Sequence, residues 1–387
     1  MTGERTDAWI LRRGPGTAGV PGALEHARID VGRLGERDVL VEPLFGCWEG
    51  NMSHAIGRRP IDIAAVRGED FVVLGNAGVV RVLRAGSEVG HLAEGTVCML
   101  YGDVINDEFG YPIKVLGFDA PGSRGLLTRR LRLPVEALIP IPEESTLSLE
   151  QWAAMSVRYV TGWENWRVAY GCWRVQMPEL AHERMHVWSW GGGVGLAQLW
   201  LARRLGCKTA MVASTDFRLK LIEESGHVAI DRRDWPALRY DPRSKRDDPE
   251  RYARFRAAEK LFLQRVAQET DGRGVDIFID HIGLPVYRST LKALARQGVV
   301  ATAGWKLGMK LEVHRAAECI GRHTHVHTHG SRTREAWASV RTAEAHGFRP
   351  PLGPEPTVPW EEIPALARRF GAGEVESYFP IYQVNPV

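Results

Sequence analysis

The chain has 387 residues, of which 44% are hydrophobic and 25% are charged, and its formal net charge is +3. These values are typical of a globular protein of about two domains, and so small a charge argues against nucleic acid or an acidic membrane surface as a partner. No segment approaches the ~20 apolar residues of a membrane span and no secretory signal is recognised, so we expect a cytoplasmic protein. The five cysteines form no C-x-x-C pair, which predicts reduced thiols.

The first part of the chain is rich in short β-type runs separated by glycine and proline. Such runs cover residues 39–43, 71–75, 78–82 and 96–100. Short strands of this kind, punctuated by turn residues, are typical of a small β-barrel. We therefore predict a β-rich domain over residues 1–155.

The middle of the chain carries a glycine cluster between an apolar run and a helical pattern. Residues 187–196 read VWSWGGGVGL, the helical pattern continues to residue 205, and a second apolar run covers residues 207–214. This order predicts a β-turn-α-β unit whose glycines let backbone N–H groups approach a pyrophosphate. The spacing departs from G-x-G-x-x-G, because Trp190 and Leu196 occupy the positions where a further glycine would stand. A glycine-rich turn that binds nothing is the alternative interpretation.

From residue 187 to residue 329, β-type and helical segments alternate, which predicts a doubly wound α/β domain with a parallel sheet over residues 156–335. The charged insertion at 239–256 is interpreted as a solvated loop and helix. Residues 336–387 are predicted to return to the first domain, and the tail from about residue 350 has room for a linker, one helix and one or two strands.

The residues at the end of the second apolar run bear on whether the chain binds NAD(H) or NADP(H). An acidic residue there would pair with a free ribose hydroxyl, whereas Ser214 and Thr215 offer hydroxyls to a 2′-phosphate and Arg218 and Lys220 offer charge. Asp216 is the counter-evidence, and we interpret it as a helix N-cap. The sequence therefore predicts NADP(H).

Four segments of the chain follow one another in a characteristic order, at residues 191–206, 226–231, 274–283 and 298–304. Through these segments the whole chain resembles the medium-chain dehydrogenase/reductase superfamily. The resemblance implies a GroES-like first domain, a Rossmann second domain with a nicotinamide cofactor, and a homodimer formed by extending the Rossmann sheets. The predicted cofactor-binding residues are Gly191, Gly192, Gly193, Val194, Gly195, Ser214, Thr215, Arg218, His281 and Gly304.

The alcohol dehydrogenase branch of the superfamily holds a catalytic zinc ion with a cysteine, the histidine of a G-H-E motif and a third ligand. Cys47 lies near the place of the first ligand. The G-H-E position resembles residues 74–80, which contain neither histidine nor glutamate, and the four-cysteine lobe is missing. The resemblance points to the zinc-free, quinone-reductase-like enzymes, with a site rebuilt from Cys47, Glu49 and His54 as the alternative.

Residues 323–329 read HTHVHTH, so a strand here would point four imidazoles to one face. A metal site is one interpretation, and the polar face of an edge or interface strand is the one we favour. His329 stands at the end of this strand, where it would reach the cofactor crevice and act as a proton donor.

Within the superfamily, the chain resembles the crotonyl-CoA carboxylase/reductase branch. His329 is followed by REAW at 334–337, and Phe118 and Asp119 stand where that branch has an aromatic residue and a glutamate. Phe45 replaces the asparagine that helps to hold CO2 in the branch. These departures argue against carboxylation and leave reduction of an α,β-unsaturated acyl thioester by NADPH.

For that reaction we predict hydride delivery to the β carbon and protonation at the α carbon. The resemblance places Thr161 beside the nicotinamide, His329 and Tyr159 are the candidate proton donors, and Asp119 would orient them. For Tyr159, a packed helix aromatic is the competing interpretation. A zinc-free carbonyl or quinone reductase, a reductive carboxylase and a non-catalytic NADP(H)-binding protein remain as alternatives.

Overall fold

A computed structural model of the chain describes residues 4–16, 19–304, 306–308, 323–327 and 332–387. It divides into two compact units, which are described separately below. Unit 1 comprises residues 1–160 and 332–387, and unit 2 comprises residues 161–331.

The described strands are β1 (Arg5–Arg12), β2 (Leu24–Asp30), β3 (Asp38–Cys47), β4 (Phe71–Val72), β5 (Gly78–Ala85), β6 (Val97–Leu100), β7 (Asp103–Asn106), β8 (Pro112–Val115), β9 (Leu131–Pro134), β10 (Leu138–Pro140), β11 (His186–Trp190), β12 (Lys208–Ala213), β13 (Val228–Asp231), β14 (Val275–Ile279), β15 (Leu294–Thr302), β16 (His323–His327) and β17 (Ile381–Gln383).

The described helices are α1 (Gly50–Ile56), α2 (Ile63–Arg67), α3 (Leu149–Gln176), α4 (Gly193–Arg204), α5 (Asp216–Glu224), α6 (Ser244–Asp247), α7 (Pro249–Glu269), α8 (Leu284–Ala293), α9 (Thr333–His346) and α10 (Ile363–Ala372). None of the helices in the described ranges is long and apolar enough to cross a membrane.

Unit 1 is built from antiparallel sheets, as the glycine- and proline-broken runs predict. One sheet has the strand order β2-β1-β4, a second has the order β10-β6-β5-β3-β17 with β9 also paired to β3, and β7 and β8 form a two-stranded sheet. Along β3, alternate residues such as Val39 and Val41 face a core that also holds Val80 and Val82. This period of two is what a half-buried antiparallel strand requires. The curled antiparallel sheets give unit 1 a GroES-like β fold.

The tail of the chain belongs to unit 1. Strand β17 pairs antiparallel with β3, and Tyr382 lies opposite Gly46 in that pairing. The preceding helix α10 buries Ile363 and Leu366 in a core shared with Trp48 and Leu74.

Unit 2 contains a parallel sheet with the strand order β13-β12-β11-β14-β15-β16. Strands β11 and β14 are buried along their whole length, as expected for a sheet covered by helices on both faces. The chain runs outward from β11 to β13 and then returns to β14 on the other side, so the strand order reverses between β11 and β14. In such sheets, ligands bind beyond the carboxyl ends of the strands at this reversal.

The charged insertion contains helix α6 and the beginning of helix α7. Helix α7 begins with Asp248 as N-cap, whose carboxylate accepts the Arg251 N–H at 2.9 Å, and Pro249 follows in the first turn. Its inner face buries Phe255 and Phe262 against the sheet, beside Trp190. Most residues of 239–256 are exposed, as the prediction of a solvated loop and helix requires, and Phe255 is the buried apolar exception.

Candidate functional site

The turn between β11 and α4 has the geometry of an anion cradle. Gly191 and Gly192 both have positive φ angles, +46° and +91°, which side-chain-bearing residues rarely adopt. Helix α4 begins at Gly193 with Gly192 as its N-cap, so its first N–H groups have no partner within the helix. Nothing lies within 4 Å of the point where a Cβ of Gly192 would be. The cradle is therefore open to a negatively charged group.

Gly195 allows α4 to pack closely against β11, because it has no side chain. A Cβ at Gly195 would lie 2.2 Å from Ser189 Oγ, and real Cβ atoms do not approach that closely. Both residues are buried. The last glycine of the cluster is thus required for helix-strand packing.

Trp190 lies beneath the turn. Its ring stacks on Phe278 with 5.4 Å between centroids, and its Nε1–H donates to Thr290 Oγ1 at 2.7 Å. Thr290 Oγ1 in turn lies 2.8 Å from Asp280 Oδ2, and Oδ1 of the same carboxylate accepts the N–H groups of Ile282 and Gly283. Burial raises the pKa of Asp280. The tryptophan that breaks the standard spacing therefore connects the turn to the loop after β14.

The end of β12 leads into α5 and carries the residues predicted to choose the dinucleotide. Thr215 is the N-cap of α5, and its Oγ1 accepts the Arg218 N–H at 3.3 Å. The assignment of Asp216 as the N-cap was wrong, because Asp216 stands one residue later, in the first turn. Its carboxylate is paired with Arg233 Nη2 at 2.6 Å. Ser214 is exposed.

Arg218 in the first turn of α5 interacts electrostatically with Lys306, which follows β15. Desolvation lowers the pKa of Lys306, and the charge of Arg218 lowers it further. Lys220 instead points along α5 and pairs with Glu224 at 3.7 Å.

The loops after β14 and β15 are joined through His281. The N–H of Ala303 donates to His281 Nδ1 at 3.0 Å, and His281 Nε2 lies 2.9 Å from Gln198 Oε1. Burial lowers the pKa of His281 to about 4, so the imidazole is neutral at physiological pH. Gly304 lies close by, since a Cβ there would be 3.3 Å from His281 Cβ. Sequence reasoning did not identify Gln198 as part of the site.

Unit 1 contains a buried charged cluster around the cysteine of the predicted zinc position. Arg158 donates from Nη1 to Cys47 Sγ and Glu49 Oε1, both at 2.6 Å, and from Nη2 to the Trp48 carbonyl at 2.6 Å. Burial raises the pKa of Cys47 to about 12 and raises that of Glu49, and the Arg158 charge partly offsets both shifts. Sequence reasoning did not identify Arg158.

The histidine of the G-H-E pattern is replaced by a polar contact between Asn51 Nδ2 and Asn76 Oδ1 at 3.2 Å. The side chain of Tyr382 occupies the space beside two glycines, because a Cβ at Gly46 would lie 2.2 Å from its ring and a Cβ at Gly75 would lie 2.9 Å from its hydroxyl oxygen. Within the described part of the chain, no group of three or more His, Cys, Asp and Glu side chains is arranged to hold a metal ion.

The predicted catalytic residues have the following surroundings. Tyr159 is buried in unit 1, where its ring stacks on Phe348 with 4.6 Å between centroids. Asp119 Oδ1 accepts the Val115 N–H at 2.8 Å, and Lys114 lies 3.8 Å from its other oxygen. Thr161 is half-buried in α3. His329 lies outside the described residues, whereas the strand predicted before it is present as β16, paired in parallel with β15.

Comparison with known proteins gives one family match and a consistent set of folds. Residues 193–344 match the family described as zinc-binding dehydrogenase. This segment begins with the first residue of α4 and does not include Cys47, Glu49 or Arg158.

The structure of crotonyl-CoA carboxylase/reductase AntE in complex with NADP aligns over 99% of this chain and 95% of its own, with 22% identity and a TM-score of 0.79. The 2-octenoyl-CoA carboxylase reductase CinF, in complex with NADP and 2-octenoyl-CoA, aligns over 100% of this chain and 89% of its own, with 18% identity and a TM-score of 0.78. A cinnamyl alcohol dehydrogenase from Sorghum bicolor aligns over 98% of both chains, with 16% identity and a TM-score of 0.69.

Proposed function

Because the chain has the two-domain fold of the medium-chain dehydrogenases/reductases and its residues 193–344 match the zinc-binding dehydrogenase family, we propose that it is an NADPH-dependent oxidoreductase. Its proposed reaction is the reduction of an α,β-unsaturated acyl thioester without zinc. The main support for a dinucleotide cofactor is the turn at residues 191–195. Two of its glycines have positive φ angles, and the N-terminus of α4 is open there.

The turn fits a dinucleotide by its own geometry. The N–H groups of Gly193, Val194 and Gly195 begin α4, where the helix dipole favours a pyrophosphate. The missing side chain of Gly192 leaves room for the phosphate oxygens. We assign the pyrophosphate to this backbone.

NADPH is favoured over NADH by the charges at the end of β12. The charge of Arg218 lowers the pKa of Lys306, so a 2′-phosphate bound here would be within the field of two cations. Ser214 and Thr215 supply hydroxyls there. The acid that would repel a phosphate, Asp216, is paired with Arg233 at 2.6 Å, and Arg233 also binds Asp231 at 2.7 Å.

This assignment is tested by dissociation constants for NADPH and NADH. Arg218→Gln should weaken NADPH binding by about tenfold, the loss of one charge-assisted hydrogen bond, and leave NADH binding unchanged. Lys220→Gln is the matched control, since Lys220 pairs with Glu224 on the same helix. Equal affinities of the Arg218 variant and the wild type for NADPH would remove Arg218 from the site.

When bound, NADPH would supply a hydride to the β carbon of the conjugated alkene. The chain must position the substrate, exclude water and deliver a proton to the α carbon. We keep Thr161 and His329 as the residues proposed for orientation and proton delivery. The stacking of Tyr159 on Phe348 and the hydrogen bond of Asp119 to Val115 support structural roles for these two side chains.

The acyl-thioester class is supported by AntE and CinF, whose names give a crotonyl-CoA and a 2-octenoyl-CoA substrate. Those proteins are carboxylases as well as reductases. In this chain Phe45 is a buried strand residue at the position of the CO2-holding asparagine, and the Asp119 carboxylate is occupied by a backbone N–H. We therefore propose reduction without carboxylation, in a homodimer.

The absence of zinc is supported by the cluster around Cys47. Two of the candidate ligands, Cys47 and Glu49, are instead bound by the guanidinium of Arg158. The guanidinium of Arg158, 2.6 Å from the sulfur, also repels a second cation.

A substrate panel separates the alternatives. Faster NADPH oxidation with enoyl thioesters than with ketones, aldehydes or quinones supports the proposal, and the reverse order supports a carbonyl or quinone reductase. A product whose mass includes CO2 when bicarbonate is present identifies a carboxylase. Tight NADPH binding without turnover on any substrate identifies a non-catalytic binding protein.

A further inference from the structure

Three side chains of unit 2 and the peptide group between Thr302 and Ala303 form a closed ring of hydrogen bonds. His281 contacts the Ala303 N–H and Gln198, and Gln198 Nε2 lies 2.7 Å from Asn165 Oδ1. Asn165 Nδ2 then lies 3.4 Å from the Thr302 carbonyl, next to the residue where the chain of bonds began. Asn165 and Gln198 are completely buried.

The direction of every bond in this ring follows from one group. A backbone N–H can only donate, so His281 Nδ1 accepts from Ala303 and the ring proton must be on Nε2. Gln198 therefore presents its oxygen to His281 and its amide nitrogen to Asn165. Asn165 presents its oxygen to Gln198 and its nitrogen to Thr302. Each residue has one orientation that satisfies both of its neighbours.

The ring lies where the sheet reverses its strand order. Gln198 is on α4, the helix that follows β11, and His281 comes two residues after the end of β14. Thr302 is the last residue of β15, Ala303 follows it, and Asn165 is on α3. The ring thus fastens the carboxyl ends of two strands to two helices at the reversal, where a dinucleotide is expected to bind.

We propose that His281 is a positioning residue for the cofactor crevice, holding the loops after β14 and β15 against α4 before the cofactor arrives. This inference rests on the proposed dinucleotide site and replaces the expectation that His281 contacts the cofactor, because both of its ring nitrogens are engaged by the protein. Ordering the two loops during binding would cost entropy. Because the ring already holds them, the protein binds the dinucleotide more tightly.

The neighbouring carboxylate of Asp280 is bound to groups outside the ring. Asp280 directs its carboxylate to Ile282, Gly283 and Thr290, and Lys306 donates its backbone N–H to the His281 carbonyl at 3.0 Å. The pKa of His281 is lowered by burial. The neutral imidazole therefore persists across the physiological pH range.

The first test compares His281→Leu with a matched control, His227→Leu. His227 is also buried and neutral and lies 2.7 Å from Thr209 Oγ1, but it precedes the edge strand β13 and therefore lies at the amino end of the sheet. We expect His281→Leu to raise the dissociation constants for NADPH and NADH alike, by about tenfold, because an unsatisfied buried group is left in the crevice wall. His227→Leu should change neither constant.

The second test uses Gln198→Glu, which keeps the shape and adds a charge. The carboxylate attracts a second proton to His281, and an imidazolium cannot accept the Ala303 N–H. The ratio of the variant to the wild-type NADPH dissociation constant should rise as the pH falls from about 8 to about 6, whereas titration of the 2′-phosphate is common to both proteins.

The proposal is overturned if His281→Leu binds both dinucleotides as the wild type does, or if the Gln198→Glu ratio is independent of pH. Failure of the wild type to bind either dinucleotide would instead overturn the proposed function. The two failures are therefore distinguishable in one set of titrations.

Discussion

Arg158 Nη1 lies 2.6 Å from Cys47 Sγ, so a permanent positive charge stands beside the cysteine at the predicted zinc position. The same guanidinium binds Glu49 and the Trp48 carbonyl, and its carbon lies 5.6 Å from the centroid of the Phe379 ring. This arrangement has consequences for stability and for metal content.

Replacing Arg158 with methionine should destabilise unit 1. The variant leaves Glu49 buried without its counter-ion, and breaking a buried pair from one side costs about 3–5 kcal/mol. The double variant Arg158→Met with Glu49→Gln should recover much of that loss, since no charge remains buried. Urea unfolding of the two variants measures both effects, and equal stability of Arg158→Met and the wild type would show that the pair is not coupled.

The purified protein should contain no stoichiometric zinc, and chelators should leave its NADPH-dependent activity unchanged. The reason is electrostatic, because a metal at Cys47 would lie next to a guanidinium that already binds both the Cys47 sulfur and Glu49. Elemental analysis of protein prepared with added zinc is the measurement. One equivalent of tightly held zinc, lost together with activity, would contradict the zinc-free assignment.

Gly195→Ala should destabilise unit 2 and weaken dinucleotide binding. The added methyl group meets Ser189 Oγ at 2.2 Å, and overpacking of this kind costs about 1–3 kcal/mol. Adding Ser189→Ala should relieve part of the clash. Gly171→Ala is the control, because a methyl group at this exposed position in α3 meets nothing within 4 Å and should stabilise the helix by up to about 1 kcal/mol. Equal destabilisation by both glycine variants would refute the packing argument.

His227 should make stability fall at acid pH. Burial and the charge of Arg203 lower its pKa to about 4 in the folded protein, below the ordinary value of 6.5. The unfolded chain therefore binds the extra proton first, and stability is lost as the pH falls from about 6.5 to about 4. From pH 7 to pH 5 we expect a loss of about 1–2 kcal/mol from this residue.

The control for this prediction is His227→Gln, which does not titrate. Its free energy of unfolding, measured at both pH values, should fall less than that of the wild type by that same amount. Identical pH dependence of the two proteins would assign the acid sensitivity to other groups.

Sequence reasoning predicted the features that depend on neighbouring residues. The glycine turn, the helix after it and the parallel sheet follow from local spacing and periodicity, and these elements are present. The N-cap at α5 was misassigned by one residue, because both Thr215 and Asp216 are good capping residues and only the backbone angles distinguish them.

The buried polar pairs could not be predicted in this way. Arg158 and Cys47 are 111 residues apart, and His281 and Gln198 are 83 residues apart. No periodicity links residues at such separations, and the partners meet only because the sheets bring their elements together. Arginine and glutamine in helices otherwise indicate a solvated face, so their burial gave no signal in the sequence.

The most direct measurement of the proposed activity is steady-state oxidation of NADPH with crotonyl-CoA, with and without bicarbonate, followed by the mass of the product. We predict oxidation of one NADPH for each saturated thioester formed, with no added CO2 and no requirement for a metal. NADPH oxidation by ketones or quinones, with none by any enoyl thioester, would contradict the proposal.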